Sequence, residues 1–65
     1  MRTATQTTNN DTARRRRLRS LVKTLVTELG YLEHCLAEGL HDTNVHTAAA
    51  GIDTAIDCLN DHLAG

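Results

Sequence analysis

Two apolar series with identical spacing constrain the fold of this chain more than any other feature. The first is Leu18, Val22, Leu25, Leu29, Leu32 and Leu36, and the second is Val45, Ala49, Ile52, Ile56, Leu59 and Leu63. In both series the steps are 4, 3, 4, 3 and 4 residues. This spacing lines up each series along one face of an α-helix and does not match the two-residue period of a strand. The two apolar seams, as we name them, predict two helices.

The residues around the seams indicate where the helices begin and end. Gly39 favours the left-handed conformation that stops a helix, and Leu40 then packs back on the last turn. Candidate N-caps precede both helices: Asp11 or Thr12 for the first, and Asp42, Thr43 or Asn44 for the second. We predict helix 1 over about 12–38, a turn at 39–43 and helix 2 over about 44–63. The polar residues 1–11 are expected to form a disordered tail.

Two such helices joined by a short turn predict an all-α fold, an antiparallel two-helix hairpin over residues 12–65. A chain of 65 residues with one shared seam buries too little apolar surface to be stable alone. Apolar residues on the flanks of the seams offer surface to further helices: Leu21, Val26, Cys35, Ala48 and Ala55. We therefore expect the hairpin to dimerise into a four-helix bundle or a higher helical oligomer. The alternative is a core completed on a different protein.

Charge is segregated along the chain. All seven Lys and Arg residues lie between Arg2 and Lys23, and seven of the eight acids follow Lys23. The register of the hairpin places the arginine cluster beyond the end of helix 2. Guanidinium groups bind phosphate through paired hydrogen bonds and release counterions from nucleic acid. The predicted polyanion-binding residues, for DNA, RNA or another polyanion, are Arg14, Arg15, Arg16, Arg17, Arg19 and Lys23.

An alternative use of the charges is assembly. Helix 2 carries an acidic stripe at i, i+4 and i+8, and helix 1 carries a basic stripe with the same spacing: Asp53, Asp57 and Asp61 against Arg15, Arg19 and Lys23. Within one hairpin only Lys23, and at the limit Arg19, is expected to reach Asp61. Pairing of the whole basic stripe with the whole acidic stripe therefore needs a second chain. In this hypothesis the protein is an interaction factor, such as an inhibitor, an antitoxin-like protein or an accessory protein.

Tyr31 is the only aromatic residue. It lies off the seam, so it is expected to be exposed, either as a partner anchor or as an ordinary surface residue. Because no other aromatic is present, recognition of single-stranded RNA by base stacking is disfavoured.

Other function classes find little support in the sequence. There is no nucleophile beside a base and no phosphate-binding glycine loop, so we expect a non-enzymatic protein without a cofactor. Cys58 and His62 have the i, i+4 spacing of two zinc ligands, but no further ligand lies level with them in the hairpin, which leaves only a site shared between subunits. No apolar run is long enough to cross a membrane, and we expect a cytoplasmic protein.

Overall fold

The structure, a computed structural model, describes the backbone of residues 4–65 and the side chains of residues 11–65. Helix α1 spans Ala4–Ala37 and helix α2 spans Thr43–Ala64. The two helices pack along each other as an antiparallel hairpin, and the described residues contain no strand. The all-α hairpin predicted from the two seams is therefore confirmed.

Helix α1 begins earlier than the sequence predicts. Residues 1–11 were expected to be a disordered tail, yet the helix already includes Ala4, while residues 1–3 lie outside the described residues. No Pro or Gly precedes Gly30, so the strongest helix-breaking residue types are absent from this stretch. The other boundaries differ from the predicted ones by a single residue, since α1 ends at Ala37 and α2 covers Thr43–Ala64.

The turn between the helices closes with two capping motifs. Gly39 has a φ of 106°, as predicted for a helix stop, and its amide donates to the Leu36 carbonyl at 3.2 Å. The Leu40 amide donates to the Cys35 carbonyl at 3.0 Å, which completes a Schellman motif. Asp42 is the N-cap of α2.

The Asp42 carboxylate accepts hydrogen bonds from the amides of Asn44 at 2.8 Å and Val45 at 3.2 Å. It satisfies two amides that the first turn of α2 would otherwise leave without a partner, and its negative charge lies at the positive end of the helix dipole.

The apolar seams form the contact between the helices. All twelve seam residues are buried or half-buried. Of the other residues between 11 and 65, only three are half-buried: Arg15, Cys35 and Ala55. The seam prediction is confirmed residue by residue. Only Ala49 and Ile56 are buried, at 9% and 8% exposure, and no described side chain is completely enclosed.

The hairpin thus has a line of contact between two helices but no enclosed core. Its surface of 5153 Å² exceeds the roughly 4,100 Å² of a compact monomer of 7.1 kDa. Its extents of 54 × 18 × 15 Å describe a rod. The fold leaves both broad faces of the hairpin uncovered.

The two broad faces differ in chemistry. Because the helices run in opposite directions, the residues that immediately precede seam positions fall on the same side of the hairpin in both helices. This side, which we name the apolar face, carries Leu21, Tyr31, Cys35, Ala48 and Ala55. Residues that immediately follow seam positions form the charged face, with Arg19, Lys23, Val26, Asp53 and Asp57.

Candidate functional site

The basic cluster lies on α1 near the free end of α2, and two of its six described cations have partners within the chain. Arg14 forms an exposed ion pair with Asp11, one helical turn earlier, at 3.4 Å. Arg15 donates a hydrogen bond to the backbone carbonyl of Leu63. The cluster is therefore not wholly beyond α2, which corrects the sequence-based expectation.

Arg15 is held by the hairpin because it continues the first seam. It lies three residues before Leu18, the next step in the alternation of threes and fours, so its side chain points toward α2 and is half-buried. At the Leu63 carbonyl it meets the negative end of the α2 dipole, where a cation is favourable. The prediction assigned Arg15 to polyanion binding; in the structure its guanidinium caps α2.

The other four cations are exposed and have no partner among the described residues: Arg16, Arg17, Arg19 and Lys23. Three of them form a row at i, i+3 and i+7 on one side of α1: Arg19 and Lys23 lie on the charged face, and Arg16 lies at its outer edge. We name these three residues the basic ridge. At 1.5 Å of rise per residue the ridge is about 10 Å long. Arg17 lies on the other side of α1, at the edge of the apolar face.

Two threonine hydroxyls near the basic ridge are engaged within α1. Thr24 donates to the Ser20 carbonyl at 3.2 Å, and Thr27 donates to the Lys23 carbonyl at 3.1 Å. Because each threonine proton is used within α1, these hydroxyls offer an incoming ligand only acceptor lone pairs. The charged donors on this part of the surface are the cations of the ridge.

The acidic stripe of α2 has no cationic partner within the described chain. The expected contact of Lys23 or Arg19 with Asp61 does not form. Lys23 and Asp61 each lie two positions before a seam residue, Leu25 and Leu63 respectively, so both side chains point outward from their own helix. Asp53 and Asp57 lie on the charged face, also without an ion pair.

The apolar residues predicted to form an interface are divided between the two faces. Leu21 is 43% exposed and Tyr31 65% exposed on the apolar face, while Val26 is 52% exposed on the charged face. Cys35 and Ala55 are half-buried and Ala48 is exposed. On the surface, His34 Nε2 lies 3.5 Å from the carboxylate of Glu38, one turn along α1.

Tyr31 and Cys35 interact one helical turn apart. Their hydrogen bond raises the pKa of the Tyr31 phenol above its ordinary value, and the electrostatic interaction with Cys35 raises it further. Both cysteines, Cys35 and Cys58, are free thiols.

The described residues form neither a pocket nor a metal cluster. No pocket opens on the described surface, and no three His, Cys, Asp or Glu side chains gather there as a metal site would require. Cys58 and His62 consequently gain no third ligand within the chain. Neither described helix combines the length and apolar composition needed to cross a membrane. Comparison of the chain with protein-family models, curated proteins and solved structures gives no match.

Proposed function

We propose that this chain is a non-enzymatic, oligomeric helical binding module that holds a polyanion, double-stranded nucleic acid in the first place, on its basic ridge. The observation that carries the proposal is that Arg16, Arg19 and Lys23 are exposed side by side without an acidic partner, and that Arg17 is equally free on the same two turns of α1.

The spacing of the ridge supports joint action on one ligand. Neighbouring cations of the ridge are separated by rises of about 4.5 and 6 Å. These separations are shorter than the screening length of about 8 Å in physiological salt, so the charges add their potentials. An array of phosphates gains from each of them by counterion release.

The residues available favour contact with the phosphate backbone over reading of bases. Tyr31, the one aromatic, lies about twelve residues beyond the centre of the ridge and on another side of α1, about 18 Å away along the helix. No aromatic side chain lies next to the ridge among the described residues, so stacking on an aromatic ring does not contribute there. We therefore expect binding with strong salt dependence and little sequence preference.

Fluorescence anisotropy with a labelled DNA duplex and the matching RNA duplex tests the proposal. For four phosphate contacts, the logarithm of the association constant should fall against the logarithm of salt concentration with a slope of about −3.6. Arg16→Gln/Arg19→Gln should reduce the slope by about 1.8 and weaken binding on the order of 100-fold at about 50 mM salt.

The matched control is Thr47→Glu/Thr54→Glu, which changes the net charge by the same amount on the outer side of α2. This variant should retain most of the affinity, because its charges lie beyond a screening length from the ridge. Absence of binding by the unmodified protein at low salt contradicts the proposal. So does equal loss of affinity in both variants, since that would make net charge alone responsible.

A second candidate function is protein recognition, and the unpaired acidic stripe favours it. Asp53, Asp57 and Asp61 place three carboxylates at i, i+4 and i+8, a like-charge series that weakens α2 unless cations meet it. In this case the partner is a basic protein surface or a second copy of the basic stripe. Dissociation of the oligomer by Arg16→Gln/Arg19→Gln, without any nucleic-acid binding to lose, would support this function instead.

A further inference from the structure

We infer that the apolar face is the surface on which a second copy of this chain packs, and that the two copies lie with their loops at opposite ends of a four-helix bundle. The inference rests on the oligomeric state proposed above and adds to it the surface and the orientation. The proposed contact surface does not include the basic ridge, which lies on another side of α1.

The composition of the two faces selects the apolar one. Between Arg17 and His62 the apolar face has one Lys or Arg residue, Arg17, and one acid, Glu28. The charged face has Arg19, Lys23, Glu33, Asp53 and Asp57 over the same length. Covering the charged face would remove several charges from water at once, whereas covering the apolar face removes few.

The dimensions of the face suit a stable dimer. The overlapping parts of α1 and α2 are about 30 Å long, and the hairpin is 18 Å across. Two copies then cover on the order of 1,100 Å² in total, which passes the roughly 1,000 Å² expected of a specific interface. The same contact would enclose Leu21 and Cys35, which the single hairpin leaves exposed and half-buried.

Small side chains allow the second copy to approach closely. On α2 the apolar face consists of Ala48, Gly51 and Ala55 over two turns, and no atom lies within 4 Å of the position that a Cβ on Gly51 would take. Such positions permit helix axes to come within about 8 Å of each other. The large residues of the face, Leu21 and Tyr31, lie on α1.

Charge at the two ends of the hairpin determines the orientation. The open end holds all six described Lys and Arg residues against three acids, Asp11, Asp57 and Asp61. The loop half holds the other five acids and no Lys or Arg: Glu28, Glu33, Glu38, Asp42 and Asp53. Since these ends lie several screening lengths apart, each interacts only with what lies beside it.

Loops at opposite ends place the basic end of each copy beside the acidic end of the other. Loops at the same end place like charges together at both ends. In this arrangement α1 of one copy packs antiparallel on α1 of the other.

The surface is tested by the mass of the full chain in light scattering. The unmodified protein should show twice 7.1 kDa. Leu21→Gln/Ala48→Gln, which alters the apolar face, should weaken dimerisation at least ten-fold and yield monomer at low micromolar concentration. The matched control Val26→Gln/Ala50→Gln makes equivalent changes on the charged face and should remain dimeric. Circular dichroism must show that both variants keep their helices. If the control dissociates and the apolar-face variant does not, the assigned surface is wrong.

The orientation is tested by the distance between two spin labels at residue 41 of the turn. The label is attached through His41→Cys in a Cys35→Ala/Cys58→Ala background that light scattering shows to be dimeric. Opposite loops give a separation of about 30 Å or more, one overlap length. A separation below about 20 Å, two helix diameters, overturns the orientation.

These results are independent of polyanion binding. A monomeric unmodified protein that binds a duplex refutes this inference and leaves the polyanion proposal standing. A dimeric protein that binds no nucleic acid contradicts the polyanion proposal and leaves this inference standing. Arg16→Gln/Arg19→Gln should keep the dimer mass, since neither residue lies on the apolar face.

Discussion

Arg15 and Leu63 lie 48 residues apart in sequence, and the guanidinium of Arg15 donates a hydrogen bond to the backbone carbonyl of Leu63. The contact joins the basic segment of α1 to the last turn of α2, where Gly65 also bonds to the Asp61 carbonyl at 3.3 Å. It separates one arginine of the cluster from its neighbours: Arg15 closes the open end of the hairpin, and the exposed arginines remain available to a ligand.

Replacement of Arg15 should therefore affect stability. Arg15→Ser removes a charged donor from the C-terminal carbonyls of α2 and should lower the free energy of unfolding by about 1–2 kcal/mol. Urea denaturation followed by circular dichroism measures the change. Arg16→Ser, on the exposed side of the same turn, should change it by less than about 0.5 kcal/mol. Equal effects of the two substitutions would show that the Leu63 contact contributes nothing in solution.

Asp42 should contribute to stability as the N-cap of α2. Asp42→Ala removes the acceptor of two amide hydrogen bonds and should cost about 1 kcal/mol, whereas Asp42→Asn should recover most of the loss because its side-chain oxygen can still accept. The melting temperatures of the two variants distinguish the contribution of the capping hydrogen bonds from that of the negative charge. Asp53→Ala, which lies inside α2 and outside the caps, is the control and should not lower the melting temperature, because it removes a like-charge repulsion. An Asp42→Ala variant as stable as the parent would contradict the cap.

Alanine substitution at two glycines should change the free energy of unfolding in opposite directions. Gly39→Ala places a side chain at a φ of 106° and should lower the free energy of unfolding by about 1 kcal/mol. Gly30→Ala lies inside α1 in open space and should raise it by about 0.5–1 kcal/mol. Chemical denaturation of both variants provides the comparison. A gain in stability for Gly39→Ala would mean that the turn takes another conformation in solution.

The sequence is sufficient to predict the hairpin because one physical signal determines it. Apolar residues at steps of four and three can only be buried together on a helix face, so the contact line follows directly from the spacing. The stop at Gly39 and the cap at Asp42 follow from local chemistry that does not depend on distant residues. The start of α1 could not be predicted in the same way, because residues 4–11 contain neither a seam nor a breaker.

The site was only partly predictable. Residue type alone groups five arginines together, while their roles depend on which way each points and on where α2 ends. The seam spacing did contain the signal for Arg15, since the position three residues before Leu18 continues the seam. The absence of the Lys23–Asp61 pair follows from the same spacing, because both residues lie two positions before a seam residue. The loop length predicts which residues of the two helices lie at the same height along the hairpin. Whether two such side chains touch also depends on the direction in which each points around its own helix.

Tyr31 should titrate at a higher pH than a free tyrosine, and Cys35 is the cause. Cys35→Ala removes both the hydrogen bond and the electrostatic interaction with Cys35, so it should lower the pKa of Tyr31 toward the ordinary value of 10.0. Because the folded state holds the phenol proton more tightly, the associated stabilisation is complete below pH 10.0 and is lost as the pH rises through the raised pKa. Ultraviolet absorbance of the tyrosinate, recorded during a pH titration, measures the midpoint, and Cys58→Ala is the control thiol. An unchanged midpoint in Cys35→Ala would show that the two side chains do not interact.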